Sequence, residues 1–130
     1  MTHVLVNPQV DRSRPVEKQE KDLAAKVVRE TDAGFYVSGA RTVSTLAAFA
    51  NEVLVFPSTY LTPSAEAADY AFGCALPVAA DGITWISRPG VASGPTASFA
   101  DLPLSNRMDE SDAVVVFENV FVPWERTFLY

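Results

Sequence analysis

Proline and glycine interrupt this sequence so often that long helices do not fit between them. The apolar runs between these residues are about four to eight residues long, which is typical of strands and shorter than most helices. The clearest runs are Val4 to Val6, Lys26 to Glu30, Phe35 to Val43, Val53 to Phe56, Tyr70 to Val78, Ile83 to Ser87, and Ala113 to Val122. The spacing therefore predicts an all-β domain.

Two glycine-containing segments separate neighbouring runs. Asp32-Ala33-Gly34 predicts a hairpin turn, because glycine tolerates the positive φ that tight hairpin connections commonly require. Asp81-Gly82 predicts a second hairpin, between the run that ends at Val78 and the run that starts at Ile83. A brief helical pattern is present only in Leu46 to Asn51 and in Glu17 to Lys26.

The composition suits one packed domain without a metal or a disulfide. The 130 residues are 48% hydrophobic and 20% charged, far from the composition of disordered chains, and we predict a single domain over residues 1–130. Cys74 is the only cysteine, which excludes an internal disulfide and a cage of thiolate ligands. No metal site is expected.

Charge and hydropathy narrow the set of partners. Ten lysines and arginines against sixteen acidic residues give a formal net charge of -6, so neither nucleic acid nor an anionic membrane is an expected partner. No apolar stretch approaches the roughly 18 residues that span a bilayer, and residues 1–6 lack the pattern of a signal peptide. We expect a cytoplasmic protein.

Residues 112–122 are largely apolar on both faces of the predicted strand. A strand with one face in water would alternate apolar and polar residues. Either the strand belongs to a sandwich or barrel whose strands are simply apolar, or a partner domain covers its outer surface. Apolar runs begin beside Met1 and stop just before Tyr130, which favours the partner domain. We expect the chain to be a piece of a longer protein.

Few side chains offer catalytic or ligand-binding chemistry. His3 is the only histidine, and histidine is the residue type most often used for proton transfer near neutral pH. Ser58 and Thr59 follow a strand end, where two hydroxyls can hold a carboxylate. Polar side chains crowd the strand exit from Asn7 to Arg12, an arrangement suited to a polar ligand. From composition alone, a histidine beside the chain start is more often incidental, and an ordinary turn or loop is the more frequent explanation of the other two features.

Several blocks of sequence carry a more specific likeness through their order and spacing. They are Thr2 to Arg12 (THVLVNPQVDR), Val27 to Gly34 with Val37 to Arg41, Phe56 to Thr59, and Asp112 to Arg126 (DAVVVFENVFVPWER). Together they span nearly all of the chain, and they resemble the central region of the 4-hydroxyphenylacetate 3-monooxygenase oxygenase family. Each block alone is a weak signal, whereas the ordered set is a strong one.

This resemblance implies a fold and a reaction. The fold is an antiparallel β-barrel-like domain of the acyl-CoA dehydrogenase middle-domain type, normally flanked by an N-terminal helical domain and a C-terminal four-helix bundle. The reaction is hydroxylation of a phenol ortho to its hydroxyl, with oxygen and with reduced FAD supplied by a separate NAD(P)H-dependent flavin reductase. The full-length form is expected to be a homo-oligomer, and the isolated domain is expected to be inactive.

The resemblance also assigns roles to individual residues. His3 matches a catalytic histidine at the junction of flavin and substrate, where it would hydrogen-bond the phenolic oxygen. Ser58 and Thr59 match a pair that binds the polar tail of the substrate. Cofactor-binding positions are His3, Val4, Leu5, Gln9, Val10, Asp11, Arg12 and Thr45, with Ser44 as the alternative to Thr45.

The sequence leaves two alternative functions open and does not identify the phenol. A related flavoprotein such as 4-hydroxybutyryl-CoA dehydratase is the rival enzyme, although Cys74 alone cannot bind an iron-sulfur cluster. A β-barrel binding or structural module without turnover is the rival from another class. The segment from Tyr60 to Tyr70, which corresponds to a substrate-closing loop of the family, contains no side chain that identifies the phenol.

Overall fold

Strands dominate the computed structural model, which describes residues 1–8, 11–19, 23–58, 61–62, 64–90, 98–108 and 111–130. The strands in these ranges are β1 (Thr2–Val4), β2 (Lys26–Thr31), β3 (Gly34–Thr45), β4 (Glu52–Val55), β5 (Gly73–Pro77), β6 (Ile83–Ser87), β7 (Asp112–Pro123) and β8 (Thr127–Leu129). Single 3-10 turns cover Val16–Lys18, Ala47–Phe49, Ala68–Tyr70 and Trp124–Arg126, and one α-helical turn, α1, covers Ser105–Met108. The prediction of a strand-rich domain is confirmed.

The strands form two four-stranded sheets. The first has the order β1-β4-β5-β8 and the second the order β2-β3-β7-β6. All neighbours are antiparallel except β1 and β4, which are parallel. Neither sheet closes on itself within the described residues, so the expectation of a barrel-like closure is not confirmed.

The core lies between the two sheets. Along β7 the buried residues alternate up to Phe117 and resume at Val120, because the chain bulges at Asn119, whose φ is 54°. This slip of one residue keeps both halves of a long strand facing the core. The first sheet contributes Val4, Val53, Val55, Cys74 and Leu76, and the second contributes Phe35, Val37, Val115, Phe117, Val120 and Val122.

The two predicted turns have different outcomes. Asp32 and Ala33 connect β2 and β3, with Thr31 paired to Gly34, so the first hairpin is confirmed. The second prediction is wrong in its pairing. Asp81-Gly82 does form a turn, but β5 before it lies in the first sheet and β6 after it in the second. This turn therefore carries the chain between the sheets.

The two brief helical patterns are confirmed only as short turns. Ala47–Phe49 lies within the first predicted segment, and Val16–Lys18 overlaps the start of the second. Lys26, at the end of the second segment, already begins β2. None of the helices in the described part of the chain has the length and hydropathy that a bilayer crossing requires.

Candidate functional site

The parallel pair β1 and β4 delivers two strand exits to the same edge of the first sheet. Val4 is paired with Val55, and the Phe56 amide still donates to the Val4 carbonyl at 2.9 Å. Asn7 and Ser58 each lie three residues beyond the paired valines, and both are buried. Because parallel strands end at the same edge, these two polar side chains are brought together.

A cavity of about 220 Å³ lies at this edge. The exit of β1 and the following loop supply most of its wall, and the exit of β4 supplies the rest. Its polar lining includes Asn7, Arg12, Ser13, Arg14, Gln19 and Ser58. The structure therefore unites Arg12, predicted for the cofactor, with Ser58, predicted for the substrate.

Gln19 holds the loop that forms most of this wall. Its Nε2 group donates to the carbonyls of Asp11 and Arg14, both at 2.7 Å, and its Oε1 accepts the Asp11 amide at 3.0 Å. The loop thus closes around one side-chain amide. A compact loop of this kind needs such a partner, because its backbone groups lie outside any sheet.

Asp11 is used inside the loop. Its carboxylate accepts the Ser13 hydroxyl at 2.6 Å and the Ser13 amide at 2.9 Å, and these two hydrogen bonds lower its pKa. Arg14 lies 3.3 Å from the same carboxylate. The Asp11 charge is therefore directed to its own loop. Arg12 and Arg14 are both exposed in the cavity wall, and Arg14 is the one paired with Asp11.

Arg41 of β3 lies behind the cavity and is completely buried. Its guanidinium donates to Asn7 Oδ1 through Nη1, and to the Tyr70 and Ala25 carbonyls through Nη2 at 3.1 and 3.4 Å. Burial lowers the pKa of Arg41 to about 10, so the group stays charged at neutral pH. Nε has no hydrogen-bond partner among the described residues.

Sequence reasoning did not assign this arginine a role. Arg41 entered only as the last residue of a resembling block, although one signal was available. A single cation in a strand that is otherwise apolar or small is unusual, since buried charges are rare unless they are partnered. That signal indicates burial with partners, but it cannot identify them.

His3 and Thr45 lie near the other end of β1. His3 is exposed and paired with Leu54, and it is not among the residues that line the cavity. His3 and Asn7 are four positions apart in the chain, which corresponds to at most roughly 13 Å. The predicted site residues are therefore not all gathered in one cavity of this chain.

The hydroxyl of Thr45 makes a hydrogen bond within the fold. It donates to Asp112 Oδ1 at 2.8 Å, while the Thr45 carbonyl accepts the Thr2 hydroxyl at 2.8 Å. Ser44, the alternative position, is buried and shares a hydrogen bond of 3.0 Å with Thr2. Both candidates thus lie beside the start of β1, near His3.

The remaining predicted residues differ in what the structure describes. Val4 is completely buried in the core, which leaves only its backbone for a ligand, and Leu5 is half-buried. Gln9, Val10 and Thr59 lie outside the described residues. No cluster of metal-ligating side chains is present in the described ranges.

Solved structures with low sequence identity first define the class of fold. A glutaryl-coenzyme A dehydrogenase matches 98% of this chain with a TM-score of 0.61 at 14% identity, over 26% of its own length. A 4-hydroxybutyryl-CoA dehydratase from N. maritimus matches 99% of it with a TM-score of 0.78 at 23% identity, again over 26% of its own length. The chain thus has a strand-rich fold that also occurs within acyl-CoA dehydrogenase-like enzymes.

Sequence comparison then gives the family. A model described as "4-hydroxyphenylacetate 3-hydroxylase N terminal" matches residues 1–129. The 4-hydroxyphenylacetate 3-monooxygenase oxygenase component of Thermus thermophilus is 42% identical over 98% of this chain, and that of Escherichia coli is also 42% identical over 98%. The chain belongs to the 4-hydroxyphenylacetate 3-hydroxylase family.

A solved structure of such an oxygenase component agrees with this membership. It is described as complexed with FAD and 4-hydroxyphenylacetate, and it matches 98% of this chain with a TM-score of 0.79 at 41% identity, over 26% of its own length. The Thermus and Escherichia relatives are covered over 26% and 25% of their lengths. The chain thus spans about a quarter of the relatives that it matches.

Proposed function

We propose that this chain is part of the oxygenase component of a two-component monooxygenase. The whole protein would use oxygen and reduced FAD to hydroxylate a phenol, such as 4-hydroxyphenylacetate, ortho to its hydroxyl. The observation that carries the proposal is the family match over residues 1–129, with relatives at 42% identity. The cavity between the exits of β1 and β4 supports it, because predicted cofactor and substrate residues line the same wall.

The cavity residues fit part of a flavin nucleotide. Asn7 and Arg12 supply donors that suit the carbonyl and phosphate oxygens of FAD. The cavity volume of about 220 Å³ lies below the roughly 300 Å³ at which pockets for drug-sized ligands begin, so this chain would line only a portion of the site. Bound reduced FAD would supply the activation of oxygen.

The chain's own residues would bind and orient the phenol. His3 would hydrogen-bond the phenolic oxygen, which favours an electron-rich, more phenolate-like ring. Ser58 and Thr59 would hold the polar tail and fix the distance of the ring from the cofactor. The backbone at Val4 and Leu5, together with Gln9 to Arg12 and Thr45 or Ser44, would position the flavin.

The rest of the site would come from outside this chain. We propose that residues 1–130 are the β domain of a longer protein with helical domains on both sides, and that these domains complete both the flavin site and the barrel-like middle domain. A separate NAD(P)H-dependent flavin reductase would supply the reduced flavin. Helical domains packed on the sheets would also exclude water from the reaction.

Product analysis under isotopically labelled oxygen tests this function. The full-length protein that contains this chain is combined with FAD, a flavin reductase, NADH and 4-hydroxyphenylacetate under ¹⁸O₂. We expect a catechol product carrying one ¹⁸O atom. FAD binding without any hydroxylated product, from this phenol or from 4-nitrophenol, would instead favour a dehydratase-like enzyme or a binding module.

A further inference from the structure

The buried guanidinium of Arg41 fixes the orientation of one amide in the cavity wall. Asn7 is 94% buried, and its side chain both contacts Arg41 and lines the cavity. A guanidinium has only donors, so the amide atom facing it has to be the oxygen. The ambiguity that usually surrounds an asparagine amide is therefore removed here.

The other end of that amide is available to a ligand. With Oδ1 held by Arg41, the Nδ2 group of Asn7 is directed elsewhere, and it donates to no acceptor in the part of the chain that the structure describes. Among these residues, Nδ2 of Asn7 is not one of the side-chain atoms that are both fully buried and without a partner. It is therefore accessible, and it lies at the cavity surface. At the cavity surface this donor can bind water or a ligand, and no protein partner has to be released when a ligand oxygen replaces the water.

No carboxylate balances the charge of Arg41 among the described residues. Its hydrogen-bond partners there are two backbone carbonyls and one side-chain amide, and the guanidinium also lies 5.5 Å from the centre of the Phe72 ring. Keeping a cation buried without an anion is expensive, whereas an apolar side chain would pack in its place. Cys74 does not compensate the charge, because burial raises its pKa to about 12 and keeps the thiol neutral.

We propose that Arg41 is a positioning residue that holds Asn7 so that its Nδ2 group donates to an acceptor oxygen of the bound flavin nucleotide. This inference rests on the proposed function. It assigns the flavin because the cavity wall around Asn7 is formed mainly by the loop that carries the predicted cofactor residues. Arg41 itself does not line the cavity and acts through Asn7.

The substitution Asn7→Asp separates ligand binding from stability. The aspartate still accepts a hydrogen bond from Arg41, and that bond becomes stronger because the carboxylate is charged. The donor that faces the flavin, however, is replaced by a charged acceptor. In the full-length protein, titration with FAD should show a dissociation constant raised at least about tenfold, which corresponds to about 1.4 kcal/mol. The melting temperature should be unchanged or higher. Asn51→Asp, at an exposed position, is the matched control and should leave both quantities unchanged.

A double-mutant cycle tests whether Arg41 acts through Asn7. Arg41→Lys should raise the dissociation constant of FAD about fivefold when Asn7 is present, and by less than about twofold in the Asn7→Ala background. An equal effect in both backgrounds would show that Arg41 does not act through this amide. Thermal unfolding of each variant identifies any loss of fold.

Two negative results remain distinguishable. If Asn7→Asp binds FAD within about twofold of the unsubstituted protein, the inference is overturned while the proposed function stands. If the unsubstituted full-length protein does not bind FAD at all, the proposed function is overturned and the inference with it.

Discussion

Arg41 and Cys74 show how burial alters two neighbouring side chains in opposite directions. Burial disfavours the charged form of each group, so it lowers the pKa of Arg41 to about 10 and raises the pKa of Cys74 to about 12. Each group partly offsets the pKa shift of the other, because the cation favours a thiolate and the thiolate favours a cation. At neutral pH the pair is therefore a charged guanidinium beside a neutral thiol.

We expect the thiol of Cys74 to be inert in the folded protein. It is completely buried, and near neutral pH only a minute fraction is thiolate, the reactive form. Reaction with a chromogenic disulfide reagent at pH 8 should be slow in the native protein and immediate in denaturant. Fast reaction of the native protein would contradict the burial of this residue.

The same pKa shift predicts a change of stability with pH. The thiol pKa is 9.0 in the absence of burial and about 12 in the fold, so its contribution to stability is complete below pH 9 and falls as the pH rises toward 12. Comparing urea unfolding of the protein with that of Cys74→Ala isolates this contribution. The difference between their free energies of unfolding should shrink above pH 9, and a constant difference would contradict it.

Substitution of His3 is expected to affect activity rather than stability. His3 is exposed on β1 and makes no side-chain hydrogen bond in the described part of the fold. His3→Ala in the full-length protein should therefore leave the melting temperature within about 1 °C. It should lower the rate of hydroxylation about a hundredfold or more, while FAD affinity changes far less. Equal loss of activity and FAD affinity would count against a contact with the phenolic oxygen.

At the scale of elements, β3 depends on a glycine where β2 begins to separate from it. Gly39 has a φ of +110°, and a Cβ atom there would lie 2.4 Å from the carbonyl oxygen of Ala24 and 2.8 Å from the amide nitrogen of Ala25. These atoms belong to backbone and cannot rotate away. The close approach also positions Arg41, which follows two residues later on the same strand.

Gly39→Ala should destabilise the protein by about 3 kcal/mol, because it combines strained backbone with a backbone collision. Gly73→Ala is the matched control. Its Cβ would meet the side chain of Phe128 at 2.6 Å, and that half-exposed ring can move. Urea unfolding should show a clearly larger loss for Gly39→Ala. Similar losses at both positions would contradict the role of the Ala24 backbone.

The presence of most strands could be predicted from the sequence, whereas the sheet to which each strand belongs could not. Apolar runs and the Asp32-Ala33-Gly34 turn are local signals, and they gave seven strands and a hairpin that the structure contains. The turn at Asp81-Gly82 is equally clear, but a turn does not specify whether the next strand pairs with the last. β8 is only three residues long and carries too little pattern to be recognised.

The candidate site was predictable to a similar degree. The resemblance named Arg12 and Ser58, and the parallel pairing of β1 with β4 explains why both line one cavity. Parallel pairing is a long-range property and leaves no mark in the short runs themselves. For the same reason, no sequence pattern could show that Asn7 contacts Arg41, since 34 residues separate them.

At the scale of the molecule, an apolar surface lies on the outside of the second sheet. Val43 and Ile86 are more than half exposed there, and together with Val114 they line a shallow cleft. This agrees with the two apolar faces noted along residues 112–122. The expectation that a partner domain covers this surface is still a prediction, and it would explain the valine and phenylalanine side chains among the outward-facing residues of β7.

We predict that His3 and Ser58 contact opposite ends of one phenol, held against a flavin by this β domain. A crystal structure of the full-length protein with FAD and 4-hydroxyphenylacetate measures this directly. We predict that the His3 imidazole lies about 3 Å from the phenolic oxygen and that the Ser58 hydroxyl lies about 3 Å from the carboxylate of the same molecule. An imidazole and a hydroxyl on opposite faces of the domain, with no ligand in common, would contradict it.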